Sequence, residues 1–252
     1  MQEYWEEYMK PIDGYPAIVA FNAGITDYKP DEEYMHVGFI NLKLNNPTEK
    51  GFIRQEEKDE LGFIEDRIEM ESLHYKIGKY VGRIITQGEA HFIYYLKSSF
   101  EWKSVVTDAM GQFDGYSFEY GSKMDIEWEV YKKLLFPTLQ EWQIIHNHHT
   151  CNAMTDAGDT LKVPRAIEHT SYFQNKEDKD SFIENIIQNG FHVHKDKDQV
   201  EENTLFKLQF YRIDAPHHYD IDDMTLELIA LCKKFDGEYD GWECSIVVEE
   251  GC

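Results

Sequence analysis

Bases are scarce in this chain of 252 residues: 25 Lys and Arg stand against 48 Asp and Glu, a formal net charge of −23. A surface of that sign repels phosphate backbones, which excludes a broad nucleic-acid-binding face. Cysteine is scarce too. Cys151, Cys232, Cys244 and Cys252 form no close pair, so the chain has neither a disulfide framework nor a CxxC spacing. No apolar run approaches the roughly 20 residues of a membrane helix. The opening MQEYWEE lacks the basic and then apolar character of a signal peptide. The expectation is a cytoplasmic, reduced protein without a membrane partner. Also missing are a Gly-rich phosphate loop and a Gly-x-Ser-x-Gly setting for Ser171, Ser181 or Ser245. Carboxylates are plentiful, but abundance is not a constellation. No enzyme and no cofactor is expected.

What the chain has is core material: 42% hydrophobic residues, with 5 Trp, 16 Tyr and 15 Phe. That excludes global disorder and suits two domains. The polar, small-residue stretch His146–Asp159 reads as their junction. It divides the chain into residues 1–148 and 156–250, with the acidic charge shared nearly equally.

The second half reads as strand Ile167–Gln174, a helix capped by Asn175, strand Phe191–His194, a polar loop Gln199–Thr204, strand Leu205–Ile213, helix Asp222–Phe235 and strand Glu238–Val248. Phe182, Ile183, Ile186 and Ile187 share one helical stripe, which Asn189-Gly190 ends. In the third strand Lys207 and Gln209 face away from Phe206, Leu208 and Phe210. The order is βαββαβ, the ferredoxin-like split unit. In the first half, strands Ala17–Asn22 and Tyr34–Leu42 precede helix Gln55–Leu73. Strands Tyr80–Thr86 and His91–Leu96, helix Glu101–Met110, strand Tyr116–Tyr120 and helix Asp125–Leu135 follow. Without its first strand this is βαββαβ again. The fold class is therefore α+β, two domains, the first a related two-layer α/β sandwich.

Several phrases carry a resemblance. Gly158-Asp159 and Pro164-Arg165 precede Ile167-Glu168-His169 and Tyr172-Phe173; Phe182 precedes Gly190-Phe191; Gly237-Glu238-Tyr239-Asp240-Gly241-Trp242-Glu243 comes near the end. In these the second half resembles the RraB family, regulators of ribonuclease E activity. The resemblance implies a ferredoxin-like fold and a non-catalytic cytoplasmic protein that binds ribonuclease E and inhibits its cleavage of RNA. Trp5, Tyr8, Pro16, Glu65-Asp66, Tyr94-Tyr95 and the run Asp125, Trp128, Tyr131, Leu134, Pro137 make the first half similar to a domain of unknown function. That domain precedes RraB-like domains in some bacterial proteins.

Each candidate site has a structural reading beside a functional one. Gly241 permits a bulged backbone, and Trp242, Cys244, Ile246 and Val248 alternate toward the core. Asp159, Arg165, Glu168 and His169 make a second cluster: in the functional reading a binding groove of mixed charge beside the first strand, in the structural one Arg165 pairs with an acid to fix the domain's entry segment and His169 is a hydrogen-bonded strand residue. Gly158, Gly190, Gly237 and Tyr239 complete the structural set. His146, His148, His149 and Cys151 have metal-binding chemistry, but adjacent histidines point apart and no ligand spacing supports a site. The expected partner-binding face is acidic: Asp222, Asp223, Glu238, Asp240 and Glu243, with Asp220 beside them. It would take a basic protein segment of a ribonuclease E-type enzyme, with no direct contact to nucleic acid. Two rivals stay open: a metal-dependent or hydrolytic enzyme using the first domain or the junction, and an acidic immunity-like module for another partner.

Overall fold

The computed structural model describes residues 4–25, 33–194 and 205–248. It divides the chain into two units, Met1–Pro137 and Thr138–Cys252. Unit 1 opens with the hairpin β1 (Trp5–Ile12) and β2 (Tyr15–Asn22). Asp13 and Gly14 both have positive φ, as a two-residue turn between twisted strands requires. β3 (His36–Lys43), α1 (Gln55–Tyr75), β4 (Gly78–Thr86), β5 (Glu89–Leu96), α2 (Trp102–Met110) and β6 (Phe118–Met124) follow. All strand pairs are antiparallel, in the order β1-β2-β4-β5-β3-β6. The four strands of the βαββαβ unit thus stand second-third-first-fourth, and the hairpin widens the sheet beyond β4.

Side-chain alternation assigns the faces of this sheet. Ile40, Leu42, Phe92, Tyr94 and Leu96 pack under α1 and α2, against Leu61, Ile64 and Ile68 on one helical stripe and Trp102, Val105 and Val106 on the other. The odd residues Val37, Phe39, Ile93 and Tyr95 occupy the opposite face. There the predicted helix Asp125–Leu135 is shorter than expected. Trp128 takes φ 54°, which interrupts a helix, and in exchange stacks on Tyr95 with ring centres 3.9 Å apart. Asp125 instead accepts hydrogen bonds from the N–H groups of Glu129 and Val130 and from the Tyr95 hydroxyl. The remaining helix closes as a π-helical turn, Tyr131–Leu135.

Unit 2 begins before the stretch that the sequence suggests as a junction. His146–Asp156 belongs to α3 (Leu139–Asp156), and the division falls at Pro137 and Thr138. Thr138 and Glu141 form a reciprocal capping box. Ile145, Cys151 and Met154 form the buried stripe of α3, with Asn147 between them. β7 (Arg165–Phe173), α4 (Lys176–Gln188), β8 (His192–Val193), β9 (Phe206–Asp214), α5 (His218–Lys234) and β10 (Gly237–Glu243) follow. The sheet order is β10-β7-β9-β8, again antiparallel. This is the ferredoxin-like arrangement that the element order implied. Asn175 caps α4 as expected, its side chain accepting from Asp178 N–H at 2.9 Å. The core packs Ile167 and Phe173 of β7 with Phe182, Ile186, Phe210, Ile221, Leu228 and Cys232.

Two boundaries of the strands and helices from β7 onward differ from the sequence reading by more than two residues. α5 starts a turn before Asp222, at His218. β10 ends at Glu243, and Ile246 and Val248 are more than half exposed instead of continuing the inward alternation. Residues 244–248 are held another way. Asp159 and Arg165 form a buried bidentate pair; the Arg165 guanidinium also donates to Ser245 O at 2.7 Å, and Val247 N–H donates to Asp159 at 2.8 Å. The pair ties the segment that leads into β7 and residues 245–247 to Arg165 of β7. The expected loop Gln199–Thr204 lies outside the described residues.

Candidate functional site: a polar groove in unit 2

The open face of the second sheet is polar because the alternation that buries Ile167, His169 and Ser171 turns Glu168 and Thr170 outward. Lys207 and Gln209 of β9 share that face. Gln143, His146 and Thr150 of α3, a helix packed on α5, border it, and between them lies a groove of about 390 Å³. Its remaining wall is the bulge of β10. Tyr239 pairs with Ser171 and Gly241 with Thr170, so Asp240 is the extra residue. Gly241 sits at φ 130°, a conformation that L side chains rarely adopt. The bulge serves both faces. Tyr239 and Trp242 turn toward the helices, while Asp240 and Glu243 line the groove.

Glu243 and Glu168 lie directly opposite across the β10–β7 pair. Like charges in that position destabilise a sheet. Glu168 is within 2.5 Å of His194 Nε2. Asp240 and Glu243 have no hydrogen-bond or ion-pair partner among the described residues. The groove therefore presents two uncommitted carboxylates beside a third, with Lys207 and His146 at its margins.

Of the expected partner face, only Asp240 and Glu243 come together here. Asp222 is committed elsewhere: it accepts from Asn147 Nδ2 at 2.9 Å and lies 2.9 Å from His148 Nε2. Asn147 also accepts from the Trp242 indole N–H at 2.8 Å, so one buried amide links α3, α5 and β10. Asp223 and Glu238 are exposed but do not line the groove, and Asp220 lies 4.0 Å from His217. The acids read as one face are thus split. Gln143, His146, Thr170, Lys207 and Gln209 were not in that set, although the outward alternation of Lys207 and Gln209 is visible in the sequence.

The structural set stands as follows. Gly158 and Gly190 have positive φ. A side chain on Gly237 would collide with the Phe173 ring. Trp242 is half-buried against the core. His169 is 1% exposed, stacks on Phe210 and bonds the Tyr239 hydroxyl at 2.8 Å through Nδ1. Burial lowers its pKa to about 3, so the ring is neutral. Burial also pushes the Cys151 and Cys232 thiols up to about 11, which leaves them poor nucleophiles. Among the described residues no three His, Cys, Asp or Glu side chains converge to hold a metal ion; His146 lines the groove while Cys151 is buried near the Pro216 carbonyl. No helix of the described residues is long and apolar enough to cross a membrane.

Residues 3–136 match the model described as "Family of unknown function (DUF695)", and residues 144–244 match "Regulator of ribonuclease activity B". The second match contains every residue lining the groove except Gln143. No curated protein matches the chain. A crystal structure of a "putative glycine cleavage system transcriptional repressor" aligns at 10% identity over 84% of this chain and 98% of its own, with a TM-score of 0.23, a likeness that bears no weight.

Proposed function

We propose a regulatory function for this chain, which belongs to the DUF695 family of unknown function: through its RraB-type unit 2 it binds an endoribonuclease of the ribonuclease E type and restrains its cleavage of RNA. The observation that carries the site assignment is the pair Asp240 and Glu243, uncommitted, with Glu243 opposite Glu168, in a groove that the RraB match spans except for Gln143. Carboxylates held across from one another at a cost to the sheet favour a cationic occupant. A basic segment of the enzyme seated there would be unavailable to RNA, so inhibition is by occlusion and involves no chemical step on this chain. Electrostatics would act mainly on the rate of encounter.

The test is RNA cleavage by a ribonuclease E-type enzyme with the full chain added. The wild type is expected to inhibit. The double variant Asp240→Asn with Glu243→Gln is expected to inhibit far less while keeping its fold. Undiminished inhibition by that variant moves the site elsewhere, and no inhibition by the wild type removes the ribonuclease from the account.

A further inference from the structure

Unit 1 holds a cleft of its own, of about 430 Å³, on the sheet face turned away from α1 and α2. Small-molecule sites span about 300–1,000 Å³. Val37, Ile84 and Ile93 make a floor that is at most 5% exposed, fixed by three adjacent strands. Val130 and Leu134 of the helical segment form the wall.

The charged groups of the cleft are few and placed apart. Lys123 of β6 lines one side; it has no hydrogen bond or ion pair among the described residues. Its neighbour Asp125 is engaged by the Tyr95 hydroxyl and two backbone N–H groups. Lys123 acts on that carboxylate only through space, as the weakest of the influences on its ionisation, and without a contact; in a chain of net charge −23, a lysine so placed beside an apolar floor favours one negative charge. Asp13, in the β1–β2 turn on the other side, disfavours a second. His91 adds no cation: burial lowers its pKa, and its Nδ1 lies 2.9 Å from Asn41 Oδ1. In the order β4-β5-β3-β6, Lys123 and Ile84 are three strand spacings apart across the sheet and, because Lys123 pairs with Val37 and Ile84 is level with Asn41, four residues apart along it, a diagonal of about 20 Å at about 4.8 Å per strand and about 3.4 Å per residue. An extended chain fits that span and a compact ring does not fill it.

We propose that this cleft binds a linear aliphatic monocarboxylate, with its carboxylate at Lys123 and its chain lying across the sheet toward Ile84. Lys123 is exposed and Leu134 is 39% exposed, so substitutions there leave the core intact.

The test is titration calorimetry of the full chain with decanoate, decanol and butyrate. Decanoate is expected to bind saturably at one site, decanol at least fivefold more weakly, and butyrate not measurably. Lys123→Gln is expected to bring decanoate down to the affinity of decanol, and Leu134→Asp to abolish both. Absence of saturable decanoate binding overturns the proposal, as does binding that survives both substitutions unchanged. Either failure leaves the ribonuclease reading of unit 2 untouched, because the variants and probes belong to unit 1.

Discussion

In unit 1 the strands β4-β5-β3-β6, and in unit 2 the strands β8-β9-β7-β10, stand in the same second-third-first-fourth order, each with two helices packed on one face. The units diverge at the edge and on the other face. Unit 1 extends its second strand with the β1–β2 hairpin, whereas the equivalent β8 of unit 2 is only two residues long. Unit 1 covers its other face with a segment that follows β6 and leaves an apolar cleft; unit 2 has a helix that precedes β7 packed on α5, which only borders the other face and leaves a polar groove there. The shared frame determines which residues are buried under the paired helices. The outward-facing half of each strand is free to differ, as Phe39 and Ile93 differ from Glu168 and Gln209. The chain repeats a Phe-Asp-Gly phrase at 113–115 and 235–237, and in each unit it follows the second helix and leads toward the last strand.

The largest expected effect breaks unit 2 alone. Asp159→Ala strands the buried Arg165 charge, and removing one partner of such a pair costs about 3–5 kcal/mol. Hydrogen exchange on the full chain should show protection lost in β7 and β10 and kept in β4 and β5. Equal loss in both units would contradict two separately stabilised cores. Next comes a tryptophan contrast. Trp102 is 2% exposed, and Trp102→Ala should cost unit 1 about 4 kcal/mol. Trp242 is half-buried, and Trp242→Ala should cost unit 2 about 2 kcal/mol, including the indole–Asn147 bond. Urea unfolding of both variants checks the ranking.

Acidification should also separate the units. The folded pKa of His169, about 3, lies below the ordinary value of 6.5. The unfolded chain therefore binds the extra proton first, and stability present above pH 6.5 is lost as pH falls toward 3. Unit 2 should lose about 2 kcal/mol between pH 6.5 and 5. His169→Gln, which keeps a partner for Tyr239, should flatten that slope; an unchanged slope would assign it to another group. Asp159, held well below the carboxylate range by Arg165, adds loss of the same sign only at lower pH.

Much of the frame is legible because strand alternation and helical stripes survive in the sequence: Phe206, Leu208 and Phe210 alternate with Lys207 and Gln209, and Leu61, Ile64 and Ile68 keep helical spacing. The exceptions have physical causes. β1 was missed because a buried Glu6, bonded by the Tyr4 hydroxyl, occupies an inward position of WEEYMKPI. The second part of α3, from His146, reads as a junction in the sequence because Asn147 sits in its buried stripe, satisfied by Asp222, Thr225 and Trp242, which no local pattern reveals. The groove was half legible. The β10 bulge follows from Gly241, but the partition of acids depends on Asn147 and His148 claiming Asp222.

The smallest effect on stability carries the most functional weight. Asp240→Asn with Glu243→Gln should change unfolding free energy by less than about 0.5 kcal/mol, as at exposed sites without a partner.

The central claim is tested most directly by stopped-flow association of the full chain with a ribonuclease E-type enzyme at about 0.05 M and about 0.5 M salt, with and without that double substitution. The wild type should associate at least tenfold more slowly at high salt, and the variant should be slow at both. Association that ignores salt, or a variant as fast as the wild type, would contradict an acidic groove as the binding site.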